Sequence, residues 1–192
     1  MAKPLQAKPP VTKVPLEKSL DSAYRCTGSE IRTPFGILTV ISQVMTEPLV
    51  LAAAFSSLDV LAKRLNDEVP NLKVVKGTQP PTITHAVSDW VETGRDTFAT
   101  IRMQQPGGEF MQACWKALRT VNAGEVVTYA QLAAMAGRPK AVRAAGTACS
   151  SNLIAPLIPC HRVVKSDWTL GQYGYGVDLK ARLLVHEGID LE

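Results

Sequence analysis

Apolar residues along this chain of 192 residues change their spacing several times, and each change predicts an element. Thr33-Pro34-Phe35-Gly36 has the composition of a tight turn, and Ile37, Leu38, Val40, Ile41 and Val44 behind it form a β-prone run. After Pro48 comes a continuous apolar stretch, Leu49 to Phe55. From Ser57 to Asn66 the period becomes helical, with Leu58, Leu61 and Leu65 on one face. One hairpin and one helix are the minimum here, and Val74, Val75, Ile83, Val87 and Trp90 extend the unit towards residue 100. Pro106-Gly107-Gly108 then breaks the pattern. Beyond it, Phe110, Cys114, Leu118 and Val121 recur at helical spacing, Met111 and Trp115 widen the face, and Gly124 stands where this helix should stop.

Thr128-Tyr129-Ala130-Gln131 has the form of a capping box, followed by Leu132 and Met135 on a buried face and by Gly137 as a stop. Pro139 suits the first turn of another helix, through Ala141, Arg143, Ala144 and Ala145. Helix, short turn and helix is the arrangement of a helix-turn-helix, here with small residues around one arginine on its second helix. The expected fold class is α/β of the α+β kind. A small sheet-plus-helix domain over residues 26–105 precedes a helical, winged-helix-like domain over 106–192, which carries the helix-turn-helix and an active-site loop.

Composition narrows the possibilities. With 46% hydrophobic and 20% charged residues the chain reads as globular. Its longest apolar run falls far short of the ~18 residues of a membrane span, and the N-terminus lacks a secretory core, so the expected location is the cytoplasm, with the DNA, or the nucleus of a eukaryotic cell. Residues 1–25 place Lys3, Lys8, Lys13 and Lys18 among Pro4, Pro9, Pro10 and Pro15, which reads as a flexible basic tail. The net charge of +4 is modest but unevenly spread. Val126 to Ser166 contains no Asp or Glu, while Arg138, Lys140, Arg143, Arg162 and Lys165 are all positive, so a polyanion would meet no repulsion there.

Four cysteines, Cys26, Cys114, Cys149 and Cys160, are too widely spaced for a C-x-x-C pair, so reduced thiols are expected and no zinc set is apparent. Cys160 stands out. Pro156 and Pro159 rule out a regular helix around it, His161 is adjacent, and the segment Asp178 to Glu187 offers a carboxylate to orient that imidazole. A thiol of ordinary pKa, about 8.5, is mostly protonated at neutral pH and needs such a base to become a nucleophile. Neighbours on an extended segment point to opposite sides, so His161 should reach the sulfur through a bridging water. A buried, inert cysteine and a thiol hydrolase use the same residue type, although the hydrolase would also need an oxyanion hole.

The run Ile158-Pro159-Cys160-His161-Arg162-Val163-Val164 closely resembles the active-site signature of the O6-alkylguanine-DNA alkyltransferases. Further blocks resemble the same family: Gly124 to Tyr129, Arg138 to Gly146, and Leu183-Leu184-Val185-His186-Glu187-Gly188. Before residue 100 the likeness rests on Thr33 to Leu38. The resemblance implies irreversible transfer of an alkyl group from O6 of a flipped-out guanine to Cys160, once per molecule, without metal or organic cofactor. It further implies His161 as water-linked base, Glu187 as its holder and Asn152 as brace of the turn. Tyr129 becomes proton donor to the departing guanine, and Arg143 fills the gap left by the extruded nucleotide, with Ala144 and Gly146 beside it at the DNA. Tyr173, Gly174, Tyr175 and the backbone near Val163 would form the pocket. The implied partner is double-stranded DNA, bound by a monomer through the minor groove with little sequence preference.

Three positions depart from the family pattern. Tyr175 and Trp168 replace glycines, and Leu153 replaces a proline. Tyr175 is expected to narrow the pocket against bulky adducts such as benzyl. A lesion-binding sensor that does not repair is the rival reading, against which the presence of Cys160 argues. A sequence-specific helix-turn-helix regulator is a second, against which the small side chains of the recognition helix argue.

Overall fold

The computed structural model describes residues 13–14, 25–43 and 45–191; the expected tail, apart from Lys13, Val14 and Arg25, and Val44 of the β-prone run lie outside the described residues. Lys13–Val14 (β1) pairs antiparallel with Gly107–Gly108 (β7). Strands Arg25–Thr33 (β2) and Gly36–Gln43 (β3) form the expected hairpin, in which Thr33 accepts from the Phe35 amide at 3.1 Å and donates to the Gly36 carbonyl at 2.8 Å. Leu49–Ala54 (β4) runs antiparallel to β3, while Lys73–Lys76 (β5) and Arg102–Met103 (β6) add parallel edges, giving the order β5-β2-β3-β4-β6. Every residue of β4 is buried, which explains why it reads as a continuous apolar run and not as an alternation.

Helix Leu58–Glu68 (α1) buries Leu61 and Leu65, and Leu58 lies against Gly28 so closely that a β-carbon there would collide with it. Helix Pro81–Thr93 (α2) begins with proline in its first turn and buries Ile83, Ala86, Val87 and Trp90. It ends at Gly94, whose φ of 67° is left-handed and whose α-carbon touches the His186 carbonyl; only glycine meets both conditions. That contact ties the end of α2 to the C-terminal helix.

Helix Glu109–Leu118 (α3) buries Cys114, Trp115 and Leu118 as expected, but it stops at Leu118. Val121 is buried from the turn beyond, and Gly124 belongs to a later turn at φ 83°. Strand Val127–Thr128 (β8) leads into Tyr129–Met135 (α4), and the capping box is closed in both directions: Gln131 N donates to Thr128 Oγ1 at 3.2 Å and Thr128 N to Gln131 Oε1 at 2.6 Å. Gly137 supplies the left-handed stop. The next helix, Val142–Ser150 (α5), starts later than expected; Pro139 sits in the preceding turn, not in the helix. The chain then passes a 3₁₀ turn, Cys160–Arg162, and Val163–Val164 (β9), parallel to β8, before Val177–His186 (α6).

One core joins the two halves. The segment after α5 docks on the sheet: Ala53 N donates to Leu153 O at 2.8 Å and Ala53 bridges to Ile154 in parallel. Among the described residues no helix is long and apolar enough to cross a membrane.

Candidate active site

Residues 152–164 are all buried, yet they form no long helix or strand, so side chains must satisfy much of their backbone. Asn152 is the centre of that work. Its Nδ2 donates to Ile158 O at 2.8 Å and to Cys160 Sγ at 3.2 Å, while its Oδ1 accepts from Ile154 N and from Gln105 Nε2, each at 3.0 Å. Gln105 Oε1 in turn accepts from Leu153 N at 2.6 Å. The sulfur position is therefore set by a fully used amide.

Cys160 and His161 sit on a 3₁₀ turn, not on the extended segment expected, which follows from the Arg162 N to Pro159 O bond at 3.0 Å. His161 is fully buried; its Nε2 lies 3.0 Å from Glu187 Oε1, and its Nδ1 makes no hydrogen bond within the protein. Glu187, just past α6, also receives Arg162 Nε on Oε2 at 2.8 Å and Arg162 Nη2 on Oε1 at 2.9 Å, and Trp90 Nε1 donates at 3.3 Å. Arg162 reaches Asp96 at 2.7 Å and the Val121 carbonyl as well. Burial alone would raise the Glu187 pKa, but His161 and Arg162 outweigh it and hold the carboxyl at about 2. Glu187 is thus a fixed carboxylate that locks the imidazole ring.

Cys160 opens on a cavity of about 280 Å³, lined by Tyr129, Gly146, Cys149, Asn152, Tyr173, Gly174 and Tyr175, with Arg64 entering from α1. His161, Glu187 and Val163 do not line it. The Val163 carbonyl accepts instead from Lys180 Nζ at 2.5 Å. Lys180 is fully buried, donates also to Leu170 O, and has its pKa lowered to about 8 by burial, against which the two nearby thiols pull. Burial pushes the Cys160 thiol up, and the Asn152 hydrogen bond and the charges of Lys180 and Arg64 pull it back. Burial likewise raises Tyr129 and, more strongly, Tyr173, so both hydroxyls stay protonated at neutral pH. Among the described residues no group of three or more His, Cys, Asp or Glu is placed to hold a metal ion. Such an arrangement can present a held thiol, a buried base and a hydroxyl to one electrophile.

Helices α4 and α5 flank this cavity. On α5, Arg143 and Ala144 are exposed, and Gly146 faces the Tyr129 ring, which its β-carbon would meet at 3.9 Å. Of the five cations between 126 and 166, Arg138, Lys140, Arg143 and Lys165 are exposed, but Arg162 is not available to a polyanion because it is buried against Glu187 and Asp96. Trp168 is 61% exposed at φ 65°, a surface turn residue. Sequence reasoning missed Gln105, Asp96, Trp90, Arg64 and Lys180. Only Lys180 carried a local signal: it shares a helical stripe with Leu183, Leu184 and Glu187, at spacings of three, four and seven.

Residues 109–189 match the family described as 6-O-methylguanine DNA methyltransferase, DNA binding domain. A methylated-DNA–protein-cysteine methyltransferase of Salmonella typhimurium is 39% identical over 114 residues, which is 59% of this chain and 67% of that protein. The bifunctional transcriptional activator/DNA repair enzyme Ada of Escherichia coli is 52% identical over 93 residues, 48% of this chain but only 26% of that protein, so the chain spans about a quarter of Ada's length. The solved structure of Mycobacterium tuberculosis O6-methylguanine methyltransferase superposes with a TM-score of 0.68 at 25% identity, covering 84% of this chain and 92% of that one. The same protein in complex with DNA gives 0.65 at 26%, with the same coverage.

Proposed function

Since the chain belongs to the O6-alkylguanine-DNA alkyltransferase family, we propose that it repairs DNA by direct reversal, moving an alkyl group from guanine O6 to Cys160 once per molecule. The observation that carries this reading is the chain of contacts from Asn152 to the Cys160 sulfur beside a cavity, with His161 locked by Glu187 next to it. In the proposed reaction a water relays the thiol proton to His161 Nδ1, and the thiolate attacks the alkyl carbon. The sulfur–carbon bond forms, the carbon–O6 bond breaks with its electron pair going to the purine, and the Tyr129 hydroxyl gives guanine a proton. The imidazolium then returns a proton to Tyr129. A thioether has no easy hydrolytic exit, so the protein is consumed.

The substrate base has to leave the duplex, at a cost of a few kcal/mol. Exposed Arg143 on α5 would occupy the space it leaves, with Ala144 and Gly146 allowing close approach through the minor groove. Few side chains on α5 can read base edges, which supports little sequence preference; we assign the active unit as a monomer acting wherever its DNA is. Residues 26–105 serve as scaffold and 106–192 as the DNA-binding and transfer half. Tyr173, Gly174 and Tyr175 wall the base pocket. Tyr175 stacks between Tyr173 and Phe55, at ring distances of 5.3 and 5.9 Å, and this supports a pocket that disfavours benzyl adducts. Equal transfer rates from methyl and benzyl adducts would remove that last point.

Intact-protein mass after incubation with a duplex carrying one O6-methylguanine tests the whole reading. A single methyl increment in the wild type, absent in Cys160→Ser, is expected. Binding of the lesion with no increment would make the protein a sensor instead.

A further inference from the structure

Arg64 is the only Asp, Glu, Lys, Arg or His among the residues that line the Cys160 cavity. It belongs to α1, in the sheet half of the molecule, and it is partly buried. One nitrogen, Nη2, donates to the carbonyls of Ser150 and Asn152 at 3.2 and 3.3 Å, which pins the guanidinium where α5 meets the active-site turn. A guanidinium has five N–H donors, so this anchoring leaves others to face a ligand. Its charge favours both the Cys160 thiolate and the ionised form of Tyr175, so it is electrostatically felt at the wall and at the reacting atom. Asp67 and Glu68 meet Arg64 on its other side, around a neighbouring cavity of about 450 Å³, and they do not line the Cys160 cavity. On the reactive side, the wall next to Arg64 is the aromatic stack of Phe55, Tyr175 and Tyr173.

A cavity with a single cation and a crowded aromatic wall discriminates by both charge and size. The geometry points to short anionic alkyl groups, of which carboxymethyl on guanine O6 is the simplest, as substrates of this site, with Arg64 pairing the adduct's carboxylate. This rests on the transfer chemistry proposed above. A thiolate attacking a carbon that bears a carboxylate must bring two negative charges together, and a fixed guanidinium neutralises one of them in a place where water does not screen the repulsion. The step is otherwise unchanged: sulfur–carbon forms, carbon–O6 breaks, guanine keeps the electron pair, and the product is a carboxymethyl thioether.

Single-turnover transfer, followed by intact mass, is compared for duplexes carrying O6-carboxymethylguanine and its neutral near-isostere O6-carbamoylmethylguanine. Comparing their rate ratio between variants cancels the intrinsic reactivity of the two carbons. In Arg64→Gln the carboxymethyl-to-carbamoylmethyl ratio falls by at least about tenfold, as expected for a lost hydrogen-bonded charge pair. Arg64→Lys, which keeps the charge and loses the fork, retains a ratio between the two. The same ratio in wild type, Arg64→Gln and Arg64→Lys overturns the assignment. An O6-methylguanine duplex separates this failure from the deeper one: no methyl transfer by the wild type would defeat the transfer reading itself and this inference with it.

Discussion

Strands β3 and β4 and the segment from Asn152 to Val164 are both withdrawn from solvent, but they are withdrawn by different means. In the sheet, the ladders satisfy the backbone, so the side chains are free to be apolar: Leu38, Val40, Ile41, Val50 and Leu51 have no exposed surface. The irregular segment has no ladder beyond two-residue β9, and the amides it buries are met by Gln105 and Asn152, its carbonyls by Asn152, Arg64 and Lys180. Polar and ionised groups therefore enter the core exactly where the chain is irregular. The same contacts that satisfy this backbone also fix a sulfur and an imidazole. Burial in the sheet supplies stability; burial around Cys160 supplies position.

The contrast is sharpest at Arg162. Arg162→Ala leaves Glu187 and Asp96 without their cation, and unfolding in urea should show a loss of about 3–5 kcal/mol, accompanied by slower transfer because the His161 ring is no longer locked. A loss below about 1 kcal/mol would mean that the buried charges are not structural. Next, Leu51→Ala should cost about 3 kcal/mol by the same assay, while transfer per folded molecule stays as in the wild type; a drop in that specific rate would break the division of labour between the two regions.

A comparable effect follows from acid. Glu187 ionises at about 2 in the folded protein against an ordinary 4.5. A carboxyl depressed on folding contributes stability that is complete above the ordinary value and is lost as pH falls through the folded one. Between pH 4.5 and 2 the wild type should therefore lose about 3 kcal/mol through this group, and Glu187→Gln should lack that part of the decline. Matching pH dependence in the two proteins would contradict the locked carboxylate. The smallest effect belongs to the helix-turn-helix: Thr128→Ala removes one half of the capping box and should cost about 1 kcal/mol, read as a small fall in thermal midpoint with no change in the acid limb.

Much of this was legible along the chain, for local reasons. The hairpin at Thr33 to Gly36, the Leu61 and Leu65 face of α1, and the Thr128–Gln131 box depend on residues within a few positions of one another. The end of α3 and the start of α5 were misjudged because Val121 and Pro139 fit a helical pattern that the chain had already left or not yet entered. At the site, Cys160, His161, Glu187 and Asn152 were reached through a family signature, and their contacts agree with the expected order of the relay.

What the sequence determined by itself is the set of elements, the proline-broken segment around Cys160 and the motif that marks its chemistry, since period, caps and prolines act over one or two turns. What only the tertiary structure decided is who stands beside whom: Gln105 against Asn152, Trp90 against Glu187, Arg64 at the mouth of the Cys160 cavity, and Arg162 turned inward and away from any polyanion. Those pairs join residues 25 to 97 positions apart. Their contacts arise when the active-site segment docks on β4 and when Gly94 lets α2 close on the end of α6, and no local pattern encodes a distance that packing alone sets.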